Sequence, residues 1–144
     1  MKAINPYLTF DGNAREAMMF YADALNAELS LQTFKETGND APGVADRVMH
    51  ARLTEKGSSD TPMAGAATVI MASDSQPNDT VNVGNNIWLT IDCTDTAEQD
   101  RIFNALGAGG NVVMGLQNTF WGARFGMLKD KFGIGWMLNC ELKK

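Results

Sequence analysis

Apolar and polar positions alternate at the start of the chain, with Leu8 and Phe10 on one side and Asn5, Tyr7 and Thr9 on the other. A period of two predicts a half-buried strand over Ile4 to Phe10. The period then changes, because Ala14, Met18, Tyr21 and Leu25 recur at helical spacing behind Asn13 and Glu16, a capping-box-like start. Three further strand-like runs follow, Glu28 to Lys35, Arg47 to Thr54 and Ala67 to Ser73. The turn-rich stretches Thr37 to Asp46 and Glu55 to Gly65 separate them.

The same order then repeats. Leu8-Thr9-Phe10-Asp11 returns as Leu89-Thr90-Ile91-Asp92, an offset of 81 residues, and Ala24-Leu25-Asn26-Ala27 meets Ala105-Leu106-Gly107-Ala108 at that offset. A strand over Ile87 to Ile91 leads into a helix opened by Asp95 and Glu98. That helix carries Ile102, Phe103 and Leu106 and stops at Gly107. Strands at Asn111 to Leu116, Ala123 to Leu128 and Gly135 to Cys140 complete the second copy. The fold class expected is α+β: two βαβββ units in tandem, residues 1–74 and 84–144 of one 144-residue domain, forming an open, cleft-bearing pair of mixed sheets. Ser73 to Asn85 reads as the connector. One helix covers one face of each sheet, so the other face carries Asn5, Tyr7 and Thr9 in the first copy and Asn86, Trp88 and Thr90 in the second. That mixture suits either a packed interface or a partly apolar ligand cleft.

Composition narrows the classes. Hydrophobic residues at 44% and charged residues at 20% are those of a globular protein. A net charge of −5, with the basic residues scattered, argues against a nucleic-acid partner. No stretch approaches the length of a membrane span, and the start lacks the apolar run of a signal peptide, so no membrane partner and a cytoplasmic location are expected. Cys93 and Cys140 are expected to be reduced and small apolar residues near the core, and Asn78-Asp79-Thr80 a polar turn.

The most specific residues lie late in the chain. They are Gln117 with Thr119-Phe120-Trp121-Gly122, Phe125-Gly126, Asp130-Lys131-Phe132-Gly133 and Trp136-Met137-Leu138-Asn139. Together with Asn5-Pro6-Tyr7-Leu8, Phe10-Asp11-Gly12-Asn13, Glu16-Ala17, Tyr21, His50-Ala51 and Met71 to Asp74, they make the chain resemble the PhnB-like group of the vicinal oxygen chelate superfamily. That superfamily includes glyoxalase I, extradiol dioxygenases and bleomycin-resistance proteins. The resemblance implies metal-ligand positions on the first and last strands of each half. In this sequence they fall on Asn5, Met71, Asn86 and Asn139. Neutral amides and a thioether are poor donors for hard or borderline cations, and His50 is the only histidine, so neither a metal nor another cofactor is expected. The resemblance also implies a homodimer.

His50 alone titrates near neutral pH, and Arg52 shares its strand face. It is either a hydrogen-bonded structural residue or a catalytic acid or base partnered by Asp74 or Tyr7. Tyr7, Trp88, Trp121 and Phe125, with Met71, Asp74 and Asn139, are the candidate ligand-binding residues, the aromatic ones either stacking on a flat ligand or packing. Gly107-Ala108-Gly109-Gly110 follows a helix, so it reads as a helix stop rather than a nucleotide or methyl-donor loop. Ser58-Ser59 has no base to make a nucleophile. The leading expectation is a metal-free pocket for a small organic molecule. The alternatives are a metal-independent isomerase or lyase using His50, and a metal-dependent lyase or dioxygenase by superfamily analogy.

Overall fold

The computed structural model describes residues 1–56 and 67–143. The Ser58-Ser59 pair and most of the Glu55 to Gly65 stretch lie outside them. The chain divides into two compact units, Met1–Asn82 and Val83–Lys144.

In the first unit the order is β1 (Tyr7–Phe10), α1 (Ala14–Ala24), β2 (Ala27–Thr33), a 3-10 turn at Lys35–Thr37, β3 (Val48–Glu55) and β4 (Thr68–Asp74). The sheet order is β1-β4-β3-β2, with β1 parallel to β4 and the other pairs antiparallel. Phe10, Ala51, Leu53, Ile70 and Ala72 are buried on the helix side, against Ala14, Ala17, Met18 and Tyr21 of α1. The two alanines let the helix approach the sheet, and each large side chain fully buried there contributes roughly 1.5–3 kcal/mol. β1 starts at Tyr7 rather than Ile4, since Pro6 has no N–H to give the sheet, although its carbonyl still accepts from Met71 N. Ile4 is exposed.

The second unit repeats the plan with β5 (Trp88–Asp92), α2 (Thr96–Gly107), β6 (Asn111–Asn118), β7 (Ala123–Lys129) and β8 (Gly135–Glu141), in the order β5-β8-β7-β6. Ile102, Phe103 and Leu106 of α2 and Leu128, Trp136 and Leu138 of the sheet are buried. Gly126 makes room for them, because a Cβ there would come within 2.9 Å of Phe103 and of Leu116. Both units are therefore the βαβββ motif with a mixed, open sheet, the glyoxalase-like fold.

The two helix starts differ from one another. Asp95 and Glu98 cap α2 as expected: Asp95 Oδ1 accepts from Glu98 N at 2.7 Å, and Glu98 accepts from Thr94 N and Oγ1. Asn13 makes no such bond at α1. Its work is done by Asp74 from the end of β4, whose Oδ1 accepts from Gly12 N and Ala14 N, both at 2.9 Å, while Oδ2 accepts from Val48 N at 2.8 Å.

Candidate functional site

Each unit has one sheet face turned away from its helix, and the alternation of the strands decides which side chains reach it. In the first unit β1, β4 and β3 bring Tyr7, Met71 and Arg52 into one cross-strand row. His50 stands two residues from Arg52, and so on the same face. The Tyr7 hydroxyl lies 3.2 Å from His50 Nδ1, with the ring centroids 5.8 Å apart. The phenol donates to Nδ1 when His50 carries its proton on Nε2. Arg52 Nε donates to Thr68 Oγ1 at 2.8 Å. Tyr7, rather than Asp74, is therefore the residue in contact with His50.

Asp74 requires a correction. Its side chain points to the helix side, is 5% exposed, and has both oxygens engaged by backbone amides. It meets neither His50 nor the open face. A carboxylate that accepts three amides at a helix start is held by those bonds and by the dipole, which is a structural role.

In the second unit the row runs across all four strands: Gln117 on β6, Phe125 on β7, Asn139 on β8 and Asp92 on β5. Asn139 Nδ2 donates to Asp92 Oδ1 at 3.4 Å. Trp121, in the β6–β7 turn, sets its ring edge-on to Phe125 at 6.0 Å, and Phe120 stands edge-on to Trp121 at 5.0 Å. Phe120 and Trp121 are 97% and 56% exposed, so these rings project into solvent rather than fill a core. Trp88 lies over β8, where Gly135 is required: a Cβ there would be 2.6 Å from the indole. At the end of β5 and β8 is a cavity of about 400 Å³ lined by Asp92, Cys93, Thr94, Asn139, Glu141 and Lys143.

The expected ligand residues of the second unit, Trp88, Trp121, Phe125 and Asn139, thus share one face with a cavity at its edge. Sequence reasoning missed Asp92, Gln117 and Phe120. The signal for Asp92 was there, since it continues the alternation of Trp88 and Thr90.

Strand register fixes which side chains could form a metal's donor set. Tyr7 pairs with Met71 as Trp88 pairs with Gly135, so the counterpart of Met71 is Gly135, not Asn139, and the counterpart of Asp74 is Leu138. Asn5 and Asn86 precede their strands and are exposed. Among the described residues, no three His, Cys, Asp or Glu side chains gather as a ligand set. Two amides before the strands, a thioether and an amide out of register do not fit a divalent cation that needs carboxylate or imidazole donors.

Comparison with known proteins extends the picture. The model of the family described as 3-demethylubiquinone-9 3-methyltransferase matches residues 2–139. Protein YjdN of Escherichia coli is 33% identical over 141 residues, covering 94% of this chain and 93% of its own length. Protein PA1353 of Pseudomonas aeruginosa superposes with a TM-score of 0.81 at 38% identity, over 99% of this chain and all of its own. A PhnB protein of Bacillus cereus, described by the same methyltransferase name, gives 0.71 at 29% identity, over 96% of this chain and 99% of its own. Solved glyoxalase-type domains share the fold at 9% and 14% identity, a likeness that bears on the fold alone.

Proposed function

The chain belongs to the 3-demethylubiquinone-9 3-methyltransferase family, with PhnB-like relatives in the glyoxalase/dioxygenase superfamily, and from that premise we propose that it binds a small organic molecule without the help of a metal. The observation that carries this reading is the exposed ring of Trp121 set against the half-buried ring of Phe125 in the second unit, beside the amide of Asn139. Exposed aromatic rings next to a few polar groups are the composition of a ligand site: the rings supply stacking area and the amide fixes orientation. In the first unit Tyr7 and Met71 supply a similar mixture beside His50.

The methyl transfer in the family's description does not follow from these residues. A nucleotide-bearing methyl donor is held by a glycine loop between a strand and the helix after it. Here Gly107 to Gly110 joins the end of α2 to the start of β6, and a Cβ at Gly110 would be 2.3 Å from the Lys129 carbonyl oxygen. These glycines serve a tight turn against β7, and no methyl-transfer step is derived.

A second reading rests on the Tyr7–His50 contact: His50 acting as a general acid or base in an isomerase or lyase that needs no metal. His50→Gln separates the two. If His50 positions or packs, ligand affinity changes by less than about tenfold and stability falls by about 1–2 kcal/mol. If it transfers a proton, turnover falls by about 10² to 10⁴ with affinity kept. The first outcome, with no turnover by the unsubstituted protein, is the one expected with any ligand drawn from a thermal-shift screen of metabolites and antibiotics. A homodimer in the cytoplasm completes the proposal, tested by light scattering for twice the 15.6 kDa chain mass.

A further inference from the structure

Asp11 and Asp92 occupy matching places in the repeat, each following the first strand's core positions. They are treated differently. Asp11 is neutralised by Arg47, whose Nη2 donates to its Oδ1 at 2.8 Å. Among the described residues no lysine or arginine forms an ion pair with Asp92; its contact is the 3.4 Å bond from the Asn139 amide. Asp92 is exposed and lines the cavity of about 400 Å³ at the end of β5 and β8. It is also the last member of the row that begins with Gln117 and Phe125. Adjacent strands are about 4.8 Å apart, so the Asp92 carboxylate sits two strands, about 10 Å, from the Phe125 ring along one surface.

We propose that the second unit selects an organic cation: a flat ring system stacked on Phe125 and Trp121, with a protonated amine on a short arm directed past Asn139 to the Asp92 carboxylate. The inference rests on the binding role proposed above and names the ligand's chemical class. Glu141 adds a second carboxylate to the cavity wall and Lys143 one ammonium, which leaves the wall negative. The surrounding field agrees, for burial and then the charges of Glu98, Cys140, Asp92 and Asp95 push the Cys93 thiol up to about 11. Burial disfavours charge of either sign, so it is only the smaller share contributed by the carboxylates of Glu98, Asp92 and Asp95 that has the sign favouring a cation. Asn139 holds the carboxylate by one long hydrogen bond, which an ammonium at 2.8 Å displaces readily.

Three probes with one ring system and arms of matched length test this by titration calorimetry at low salt: 2-(1-naphthyl)ethylamine, 2-(1-naphthyl)ethanol and 1-naphthylacetate. The amine is expected to bind at least tenfold more tightly than the acetate, with the alcohol between. Asp92→Asn, isosteric and exposed, should bring the amine to the affinity of the alcohol. Trp121→Ala should weaken all three by a similar factor. Equal affinity of the three probes in the unsubstituted protein would overturn the charge selection while leaving the aromatic site in place. A preference for the amine that persists in Asp92→Asn would overturn the assignment to this carboxylate. Failure of all three probes to bind would overturn both this inference and the stacking role of Phe125 and Trp121.

Discussion

Replacing Asp74 should damage the first unit far more than its small size implies. Asp74→Ala removes the acceptor for three backbone amides: Gly12, which is exposed, and Ala14 and Val48, which are 0% and 1% exposed. Water can reach Gly12. It cannot reach the other two, and a buried amide left without an acceptor costs about 1–3 kcal/mol. Two of them give about 4 kcal/mol, from which relief of the buried carboxylate's desolvation takes back a part, leaving about 3–4 kcal/mol. With a whole-domain stability of about 5–15 kcal/mol, that is a large fraction. Asp74→Asn keeps the oxygen that serves Gly12 and Ala14 but presents an NH₂ to the Val48 amide, so its cost is about 1–3 kcal/mol. Urea unfolding followed by far-UV circular dichroism reads this as a midpoint lowered by about 1.5–2 M for Asp74→Ala, taking a slope of about 2 kcal/mol per M. All three tryptophans, Trp88, Trp121 and Trp136, lie in the second unit, so their emission followed in the same titration reports whether that unit unfolds separately. A loss under about 0.5 kcal/mol for Asp74→Ala would refute the reasoning, since it would mean the amides find other acceptors.

Two more consequences follow from single residues. Gly135→Ala puts a methyl group into the Trp88 indole, which must leave β8, so stability should fall by about 1–3 kcal/mol and Trp emission should shift; an unchanged spectrum and midpoint would show that the ring does not rest there. With its pKa raised to about 11, Cys93 is a thiol at pH 8 and should react with iodoacetamide about a hundredfold more slowly than a free cysteine. Because the folded value is the higher one, its contribution to stability is intact below about pH 9 and is lost as pH rises through about 11; a thermal midpoint that rises over that window would contradict the sign.

Most of the architecture was legible because its signals are local and repeated. Alternation along Leu8 and Phe10, helical spacing from Ala14 to Leu25, and the 81-residue offset each depend on neighbours in the chain, and each element they predicted is present. The Asp95–Glu98 cap is local too. Asp74 was misread because its partners lie 62, 60 and 26 residues away, and a carboxylate's role is set by what it meets, not by its strand. The face of His50 could not be fixed from the sequence, since β3 carries buried side chains at both Leu53 and Thr54 and shifts register between them. Extending the repeat to the last strands also failed as a guide. Insertions after the helices break the offset, and only the paired register shows that Gly135, not Asn139, answers Met71. Asp92 was overlooked for the opposite reason: its alternation was plain, but that no arginine among the described residues pairs with it, as Arg47 pairs with Asp11, is a tertiary fact.

Titration of 2-(1-naphthyl)ethanol into chelator-treated protein by calorimetry decides whether the aromatic face of the second unit is a metal-free ligand site. One site per chain is expected, with an affinity that added zinc, nickel or manganese leaves within about twofold and that falls tenfold or more in Trp121→Ala/Phe125→Leu, since two ring contacts are worth about 2 kcal/mol. Binding that appears only with a stoichiometric metal, or that survives the double substitution unchanged, would contradict it.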